Sequence, residues 1–450
     1  MKNNLTLLLA FSFIMSAFAQ QPALLEPTDG CVYHGAQLST YETGDPLAGY
    51  LGALNDTTIN PVVRGFFMSI PGERGPDLPL LGLKNFLHAA DSIGFIPELS
   101  LFLVGKVGTN IIATDSIIAV SNQYDWILDS VITLCKNYNR KMFLRIGGEF
   151  NGKGPGWNGG GYHPYLYVTM FRKIVNLFTT AGFRDSIATN WCYEPAAAND
   201  FDVVDGNGPR WYPGDAYVDW FGLDVFDIKE FDQSLPDSTG RNITPKGKSE
   251  RFLAMARAKG KPVFLSETSA KDVNISSDYN DGVNDWNFWF VKFWNFIDVH
   301  KEIKGFCYIN ANWPTNGSTN WGNSRIQDNS YVTAQYKLEM KNPKYIHLHG
   351  YGCSGISGIN EFPRSNQKLN IYPNPTNSFV NLTMENSISG NYAIFLYNSL
   401  GEVLLVIPST HFAEGQQPVQ LNFSEYENGL YYLRIQGMQS TITGKLIINK

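Results

Sequence analysis

The chain predicts an α/β protein, an eight-stranded (β/α)8 TIM barrel followed by a small all-β sandwich. Eight short runs, apolar on both parities, recur between residues 30 and 350. That is the pattern of parallel strands covered on both faces. Amphipathic stretches of helical period separate several of them. After residue 350 the texture changes to short alternating runs divided by turn residues. A length of 450 residues exceeds one ordinary core and has room for both units.

In chain order, residues 1–19 read as a signal peptide. Lys2 gives a positive start, an apolar run follows, and Ala17-Phe18-Ala19 offers small residues at the two positions a signal peptidase reads. The run is short for a membrane span, and no later stretch is apolar for long enough. Export without a membrane-spanning segment is therefore expected. Residues 20–349 form the expected barrel. Its strand runs are CVYHG, VVRGFFMSI, FIPELSLFLV, KMFLRIGGE, SIATNWCYE, YVDWFGLDVF, PVFLSET and IKGFCYINANW. Helices are expected over 81–93, 124–138, 165–181, 249–259 and 286–300, with the first and sixth crossovers poorly helical. Residues 350–366, rich in Gly and Ser, read as a linker. Residues 367–450 contain LNIYP, SFVNLTM, YAIFLYN, EVLLVI, PVQLNF, GLYYLRI and GKLIINK, the runs of a β-sandwich.

Composition narrows the partners. Aromatic residues make up 14% of the chain, and their flat faces suit sugar rings as well as cores. A net charge of −6 over this length leaves no basic stripe, so nucleic acid is not an expected partner. The 5 cysteines are odd in number, so at least one thiol stays free. Cys31 and Cys353 bracket the barrel and are the expected pair, while Cys192 and Cys307 sit in strand runs and read as core. No CxxC occurs, and His347 with His349 lacks a third ligand, so neither a metal nor a cofactor is expected. His347 and His349 read instead as part of a surface strand. The Gly-rich 147–161 stretch lacks the Lys-Ser/Thr of a phosphate loop.

The stretch FLRIGGEFNGKGPGWNGGGYH, residues 143–163, points to the chemistry. In a parallel barrel the C-terminal ends of the strands carry the active face. Glu149 ends the fourth run, and Arg145, four residues earlier, shares its side by the two-residue period. Arg145 reads equally as a substrate contact or as the neutraliser of a buried charge. Glu267, in KPVFLSETS, ends the seventh run. Two carboxyl groups facing each other at about 5–5.5 Å are what a retaining glycosidase needs: one protonates the departing oxygen and the other attacks the anomeric carbon. An ionised Glu267 is expected to raise the proton affinity of Glu149. Trp157, Tyr162, Trp211 and Trp321 are expected to stack on sugar faces. Trp191, Trp220, Trp289 and Trp294 read as core. Asp215 and Asp219 read as turn and cap residues.

On these motifs the barrel resembles a clan A glycoside hydrolase, and most of all family 26. The resemblance rests on RIGGEFNG, on WYPGDAYVDWFGLDVF at 211–226 and on KPVFLSETS, and spans about residues 30–345. It implies Glu149 as acid/base, Glu267 as nucleophile, and Trp313 of YINANW as the aromatic floor under the cleaved sugar. It also implies a secreted, retaining endo-hydrolase of a β-linked polysaccharide. Mannan is the default, with β-xylan, β-glucan or an algal glycan as alternatives. Two positions depart from the family: its His before the acid/base is Gly148, and its Tyr at the end of strand six is Phe226. Asn190, Glu194 and Asp224 are the candidates for polar support there. The departures keep a non-catalytic surface glycan-binding protein as a second alternative. The tail, through IYPNPTNSFVNL, LYNSLGEVLL, ENGLYYLRI and GKLIINK, resembles the C-terminal sorting domain of the Bacteroidota type IX secretion system. That implies Sec export, outer-membrane translocation by the type IX machinery, and release or attachment at the cell surface.

Overall fold

Eight parallel strands close on themselves. They are β1 (Val32–Gln37), β2 (Val63–Ser69), β3 (Ile96–Phe102), β4 (Met142–Glu149), β5 (Ile187–Tyr193), β6 (Trp220–Leu223), β7 (Val263–Thr268) and β8 (Ile303–Tyr308). Each pairs with the next, and β8 returns to β1 with Tyr33 opposite Gly305. Closure removes the exposed strand edges that an open sheet has to protect. This computed structural model describes residues 21–37, 46–72, 75–107, 110–152, 161–197, 200–201, 210–232, 244–316, 320–348, 353, 368–385, 390–397, 403–412, 418–436 and 441–450. The expected signal peptide therefore lies outside the described residues.

The helices begin and end where local chemistry dictates. The helix Asp77–Ile93 stops at Gly94 and Asp125–Tyr138 stops at Asn139, both left-handed caps. Pro164–Thr180 starts with proline at its first position, where no N–H is missed. The sixth crossover carries a regular helix, Pro245–Ala258, whose Thr244 side chain caps Gly247 N. The helix expected over 249–259 is present and begins four residues earlier, in a crossover read as a whole as poorly helical. The first crossover likewise carries a helix, Pro46–Leu54. The crossover without a helix among the described residues is the fifth, between β5 and β6. The helical run before β8 starts at Tyr279, capped by Asp278, and passes through a π-turn at Trp286–Phe290. Among the described residues no helix is long and apolar enough to cross a membrane.

The barrel interior is layered, and the layers change character along its axis. The lowest layer takes one residue from every strand: Tyr33, Val63, Ile96, Phe143, Ala188, Trp220, Phe264 and Cys307. It is closed from below by Leu24, Leu25 and Ile346. The N-terminal arm is fastened there, because Trp220 Nε1 donates to Leu24 O at 2.8 Å and Tyr33 Oη to Leu25 O at 2.9 Å. Burying each of these large side chains contributes roughly 1.5–3 kcal/mol. Two residues further along the strands the layer turns polar, with Glu98, Arg145, Asn190 and Ser266 all buried. An apolar foot under a polar mouth places the chemistry at the C-terminal ends.

Residues 368–448 contain seven antiparallel strands in two sheets. One is formed by Lys368–Tyr372, Phe379–Glu385 and Val419–Asn422. The other has the order Val403–Phe412, Gly390–Tyr397, Gly429–Gln436 and Thr441–Ile448. Val380 and Leu382 of the first sheet share one core with Ile394, Leu433 and Ile435 of the second, which makes a sandwich.

Cys31 and Cys353 form a disulfide, with Cα atoms 5.6 Å apart. Cys135, Cys192 and Cys307 are free and buried. Beside β1 a chain of polar side chains is sealed from water. His34 Nδ1 meets His347 Nδ1 at 3.0 Å, His34 Nε2 meets Tyr50 Oη at 2.6 Å, and Tyr50 Oη meets Tyr336 Oη at 2.8 Å. His347 is therefore not on a surface strand: the two-residue strand Tyr345–Ile346 pairs with β1 and tucks it inside. His349 lies outside the described residues.

Burial pushes His347 down to about 4, whereas the unfolded chain titrates near 6.5. Between those pH values the unfolded state binds a proton that the native state refuses, so stability falls as pH drops from 6.5 towards 4. The loss assignable to this residue is on the order of 3 kcal/mol. Urea unfolding at pH 7 and pH 4.5 should show His347→Gln losing less stability on acidification than the parent; equal losses would refute the assignment.

Candidate active site

Glu149 reaches the mouth through a bulge. Along the β4–β5 pairing, Arg145 stands opposite Asn190 and Glu149 opposite Cys192, so four steps on one strand meet two on the other. The extra length is taken up at Gly147 and Gly148, with φ of 86° and 57°. A Cβ at Gly147 would lie 2.7 Å from the Tyr167 ring, and one at Gly148 2.6 Å from the Phe102 ring. Only glycine fits either place. Because the excess is an even number of residues, Glu149 keeps the inward side that Arg145 occupies. Beyond it the chain is pinned. Phe150 stacks on Trp191 with centroids 4.6 Å apart, and Asn151 Nδ2 donates to Glu194 O at 2.7 Å.

Arg145 is fully buried and organises the strand ends. One terminal nitrogen donates to Glu267 Oε1 and the other to Asp224 Oδ2. Asp224 in turn accepts the backbone N–H of Glu267 at 2.8 Å through Oδ1. Glu267 is thus held by its side chain and by its main chain. Below it, Asn190 Nδ2 donates to Ser266 Oγ at 2.7 Å, and Gln37 Nε2 donates to both Glu98 Oε2 (2.7 Å) and Ser266 O (2.8 Å). The web spans β1, β3, β4, β5, β6 and β7. Lys261, close in sequence to Glu267, donates to Asp215 O.

The two carboxyl groups have different surroundings. Glu149 is 5% exposed and its Oε2 makes no hydrogen bond among the described residues. Burial holds it well above the usual carboxylate range, and the charges of Asp224, Glu194 and Glu267 add to that, against Arg145. Burial, rather than the Glu267 charge expected from the sequence, is the leading cause. Burial also pushes Asp224 up to about 8, Glu98 to about 7 and Glu194 to about 7. The Glu267 side chain keeps 16% exposure while bound to a guanidinium. A sequestered acid that keeps its proton can donate it; a carboxylate fixed by Arg145 and open on one side can attack an electrophilic carbon.

The aromatic residues divide in two. Trp313, its Nε1 donating to Ser269 Oγ at 2.9 Å, packs with Trp321, Phe226, Ile309 and Ala311 at the mouth. Trp313 and Trp321 centroids are 4.9 Å apart, and Trp321 is half-buried. Tyr162 and Trp211 correct the sequence expectation. Tyr162 is 6% exposed, stacks on Tyr167 and accepts the Leu103 N–H; Trp211 is 4% exposed between Phe150 and Tyr167. Neither offers a face to a ligand, because both belong to the packing behind the bulge. Trp157 lies outside the described residues. Trp191, Trp220, Trp289 and Trp294 are core. Asp219 accepts the N–H and hydroxyl of Thr189, and Asp215 accepts from Tyr212 and Lys259. Sequence reasoning missed Gln37, Glu98, Asn151, Ser266 and Glu230. Of these, Glu98 had a readable signal, a lone charge inside the apolar run FIPELSLFLV.

Comparison with known proteins fits this geometry. Residues 119–297 match the family described as "Glycosyl hydrolase family 26", and residues 370–449 match "Secretion system C-terminal sorting domain". The first match contains Arg145, Glu149, Asn190, Asp224 and Glu267. A beta-1,3-xylanase of Alcaligenes sp is 28% identical over 245 residues, 50% of this chain and 48% of that protein. Beta-1,3-xylanase TXYA of Vibrio sp is 26% identical over 247 residues, 50% of this chain and 49% of that protein. The chain spans about half the length of the curated relatives it matches. A Cellulomonas fimi endo-beta-1,4-mannanase double mutant superposes with a TM-score of 0.50 at 14% identity, over 94% of this chain and 95% of that one, which shows a shared fold. Residues 119–297, within the barrel, accordingly match a glycosyl hydrolase family 26 domain, and residues 370–449 match a secretion system C-terminal sorting domain, which points to secretion or the cell surface.

Proposed function

We propose that the protein is an exported retaining endo-glycoside hydrolase, with Glu149 as acid/base, Glu267 as nucleophile and β-1,3-xylan as its substrate. The observation that carries the reading is the contrast between two carboxyl groups at one barrel mouth. One is buried and holds its proton; the other is clamped by Arg145. The substrate follows the names of the curated relatives, which act on β-1,3-xylan, and so departs from mannan as the default. In the first half-reaction Glu149 gives its proton to the leaving oxygen as Glu267 bonds to the anomeric carbon. In the second, Glu149 takes a proton from water as that bond breaks. Trp313 and Trp321 supply the apolar surface for the sugar, and Asn190 and Asp224 support the pair. We assign residues 1–19 as signal peptide, 20–349 as catalytic barrel, 350–366 as linker and 367–450 as sorting domain. Sec export then precedes type IX translocation.

Product analysis on β-1,3-xylan, β-1,4-xylan, β-mannan and β-glucan tests the substrate. Oligosaccharides of retained anomeric configuration should appear from β-1,3-xylan, and release from mannan alone would shift the assignment to that sugar. Glu149→Gln and Glu267→Gln should each lower kcat by about 10²–10⁴-fold or more. Binding of a glycan without release by the parent protein would favour the glycan-binding alternative. Gly148→Ala must displace Phe102 or reshape the bulge, which misplaces the acid. Its kcat should fall by roughly 10²-fold, because errors near 1 Å cost that much, with KM changing less.

A further inference from the structure

The site contains a third carboxyl group at its rim. Glu194 follows β5, two residues beyond Cys192, which pairs with Glu149. By strand parity it continues the inward line of Asn190 and Cys192 and stands beside Glu149 at the mouth. It is 8% exposed. Its position is fixed twice through the backbone, since its N–H donates to Asn151 Oδ1 at 3.0 Å and its carbonyl accepts from Asn151 Nδ2 at 2.7 Å. Its Oε1 accepts the Ala196 N–H at 2.9 Å. Asn151 is only two residues from Glu149, so one side chain couples the acid's strand end to Glu194.

We propose that Glu194 is a positioning residue for the proton donor: its carboxylate, buried beside Glu149, keeps that side chain in the acid form until a glycosidic oxygen arrives. This rests on the hydrolase reading above and deepens it. Among the described residues, these charged groups act on the pair. Glu149 faces Asp224, Glu194, Glu267 and Arg145. Glu194 faces Glu149 and Glu230 together with the ammonium groups of Lys248 and Lys271. Glu230 is itself held, its Oε2 accepting the N–H groups of Phe226 at 2.6 Å and Asp227 at 3.1 Å. Lys271 is engaged with Asp227 at 3.0 Å. Asp224 and Glu267 are each bonded to Arg145, whereas the Glu194 carboxyl group accepts a main-chain N–H, that of Ala196. When Glu194 is ionised, loss of the Glu149 proton would put two bare carboxylates side by side, which like-charge repulsion opposes.

The test measures the proton directly. The full chain is labelled with ¹³C at the glutamate carboxyl carbon, with Glu149 and Glu194 assigned through E149Q and E194Q, and titrated by NMR. In the parent protein the two resonances should titrate together, each curve showing the inflection of the other. In Glu194→Gln the Glu149 midpoint should fall by about one pH unit, and in Glu194→Asp it should stay at the parent value. The alkaline limb of kcat/KM on β-1,3-xylan should move to lower pH by the same amount in Glu194→Gln, whereas a merely structural role would lower kcat at every pH alike. An unchanged Glu149 midpoint in Glu194→Gln overturns the proposal. Should that variant not fold, independent titration of the two groups in the parent protein overturns it equally. Failure of the parent protein to release sugar from any glycan would sink the hydrolase reading, while the NMR midpoints would still decide the role of Glu194.

Discussion

The buried guanidinium of Arg145 is the constraint on which the rest of the mouth depends. A fully enclosed cation is tolerable only if anions meet it with good geometry. Asp224 and Glu267 meet it from two neighbouring strands. Because Asp224 also holds the Glu267 backbone, the three residues fix the ends of β4, β6 and β7 relative to one another. Removing either anion alone would leave a charge stranded in low dielectric, and broken buried pairs of this kind cost about 3–5 kcal/mol. The arrangement therefore holds the Glu267 carboxyl group in a fixed place, as the proposed attack on a sugar requires.

That rigidity is bought with unmade hydrogen bonds. Gln37 Oε1, Glu98 Oε1, Ser100 Oγ, Asn190 Oδ1 and Glu149 Oε2 are buried without a hydrogen-bond partner among the described residues. Each such group costs about 1–3 kcal/mol unless water satisfies it. The offset lies elsewhere in the barrel. The apolar foot contributes one side chain from every strand, the N-terminal arm covers it, and the Cys31–Cys353 bond ties the start of β1 to the chain beyond the last barrel helix. Stability is concentrated at one end of the axis and reactivity at the other.

The sequence revealed the skeleton because burial on both faces leaves a simple signature. All eight strand runs, the strand-end positions of Glu149 and Glu267 and the disulfide pair were readable, as were the seven described strands of the tail. Three things were not. The helices of the first and sixth crossovers were under-read: the first carries Pro46–Leu54, and the sixth begins at Pro245, ahead of the expected 249. Tyr162 and Trp211 looked like sugar platforms because an aromatic residue next to a glycine-rich loop has the same pattern whether it faces solvent or packs behind a bulge. The polar web of Gln37, Glu98 and Ser266 escaped because its members are far apart in sequence and meet only when the barrel closes.

The two departures from the family pattern acquire a physical meaning in this setting. At Gly148 a side chain is excluded by the Phe102 ring, which lies where a Cβ would go and packs against Phe67. Phe226 has no hydroxyl to offer Glu267; its ring joins Trp313 and Trp321 in the aromatic cluster, while its backbone N–H is taken by Glu230. Glu267 is not left without a donor, because Arg145 supplies one and Asp224 anchors its main chain. Both positions thus meet aromatic surface, Phe102 at one and the Phe226 cluster at the other, beside the charged groups that hold Glu267. For a surface that only bound glycan, a buried Arg145 with its two anions and a sequestered Glu149 would carry desolvation cost without benefit. Their presence beside aromatic surface fits the bond-breaking role proposed above.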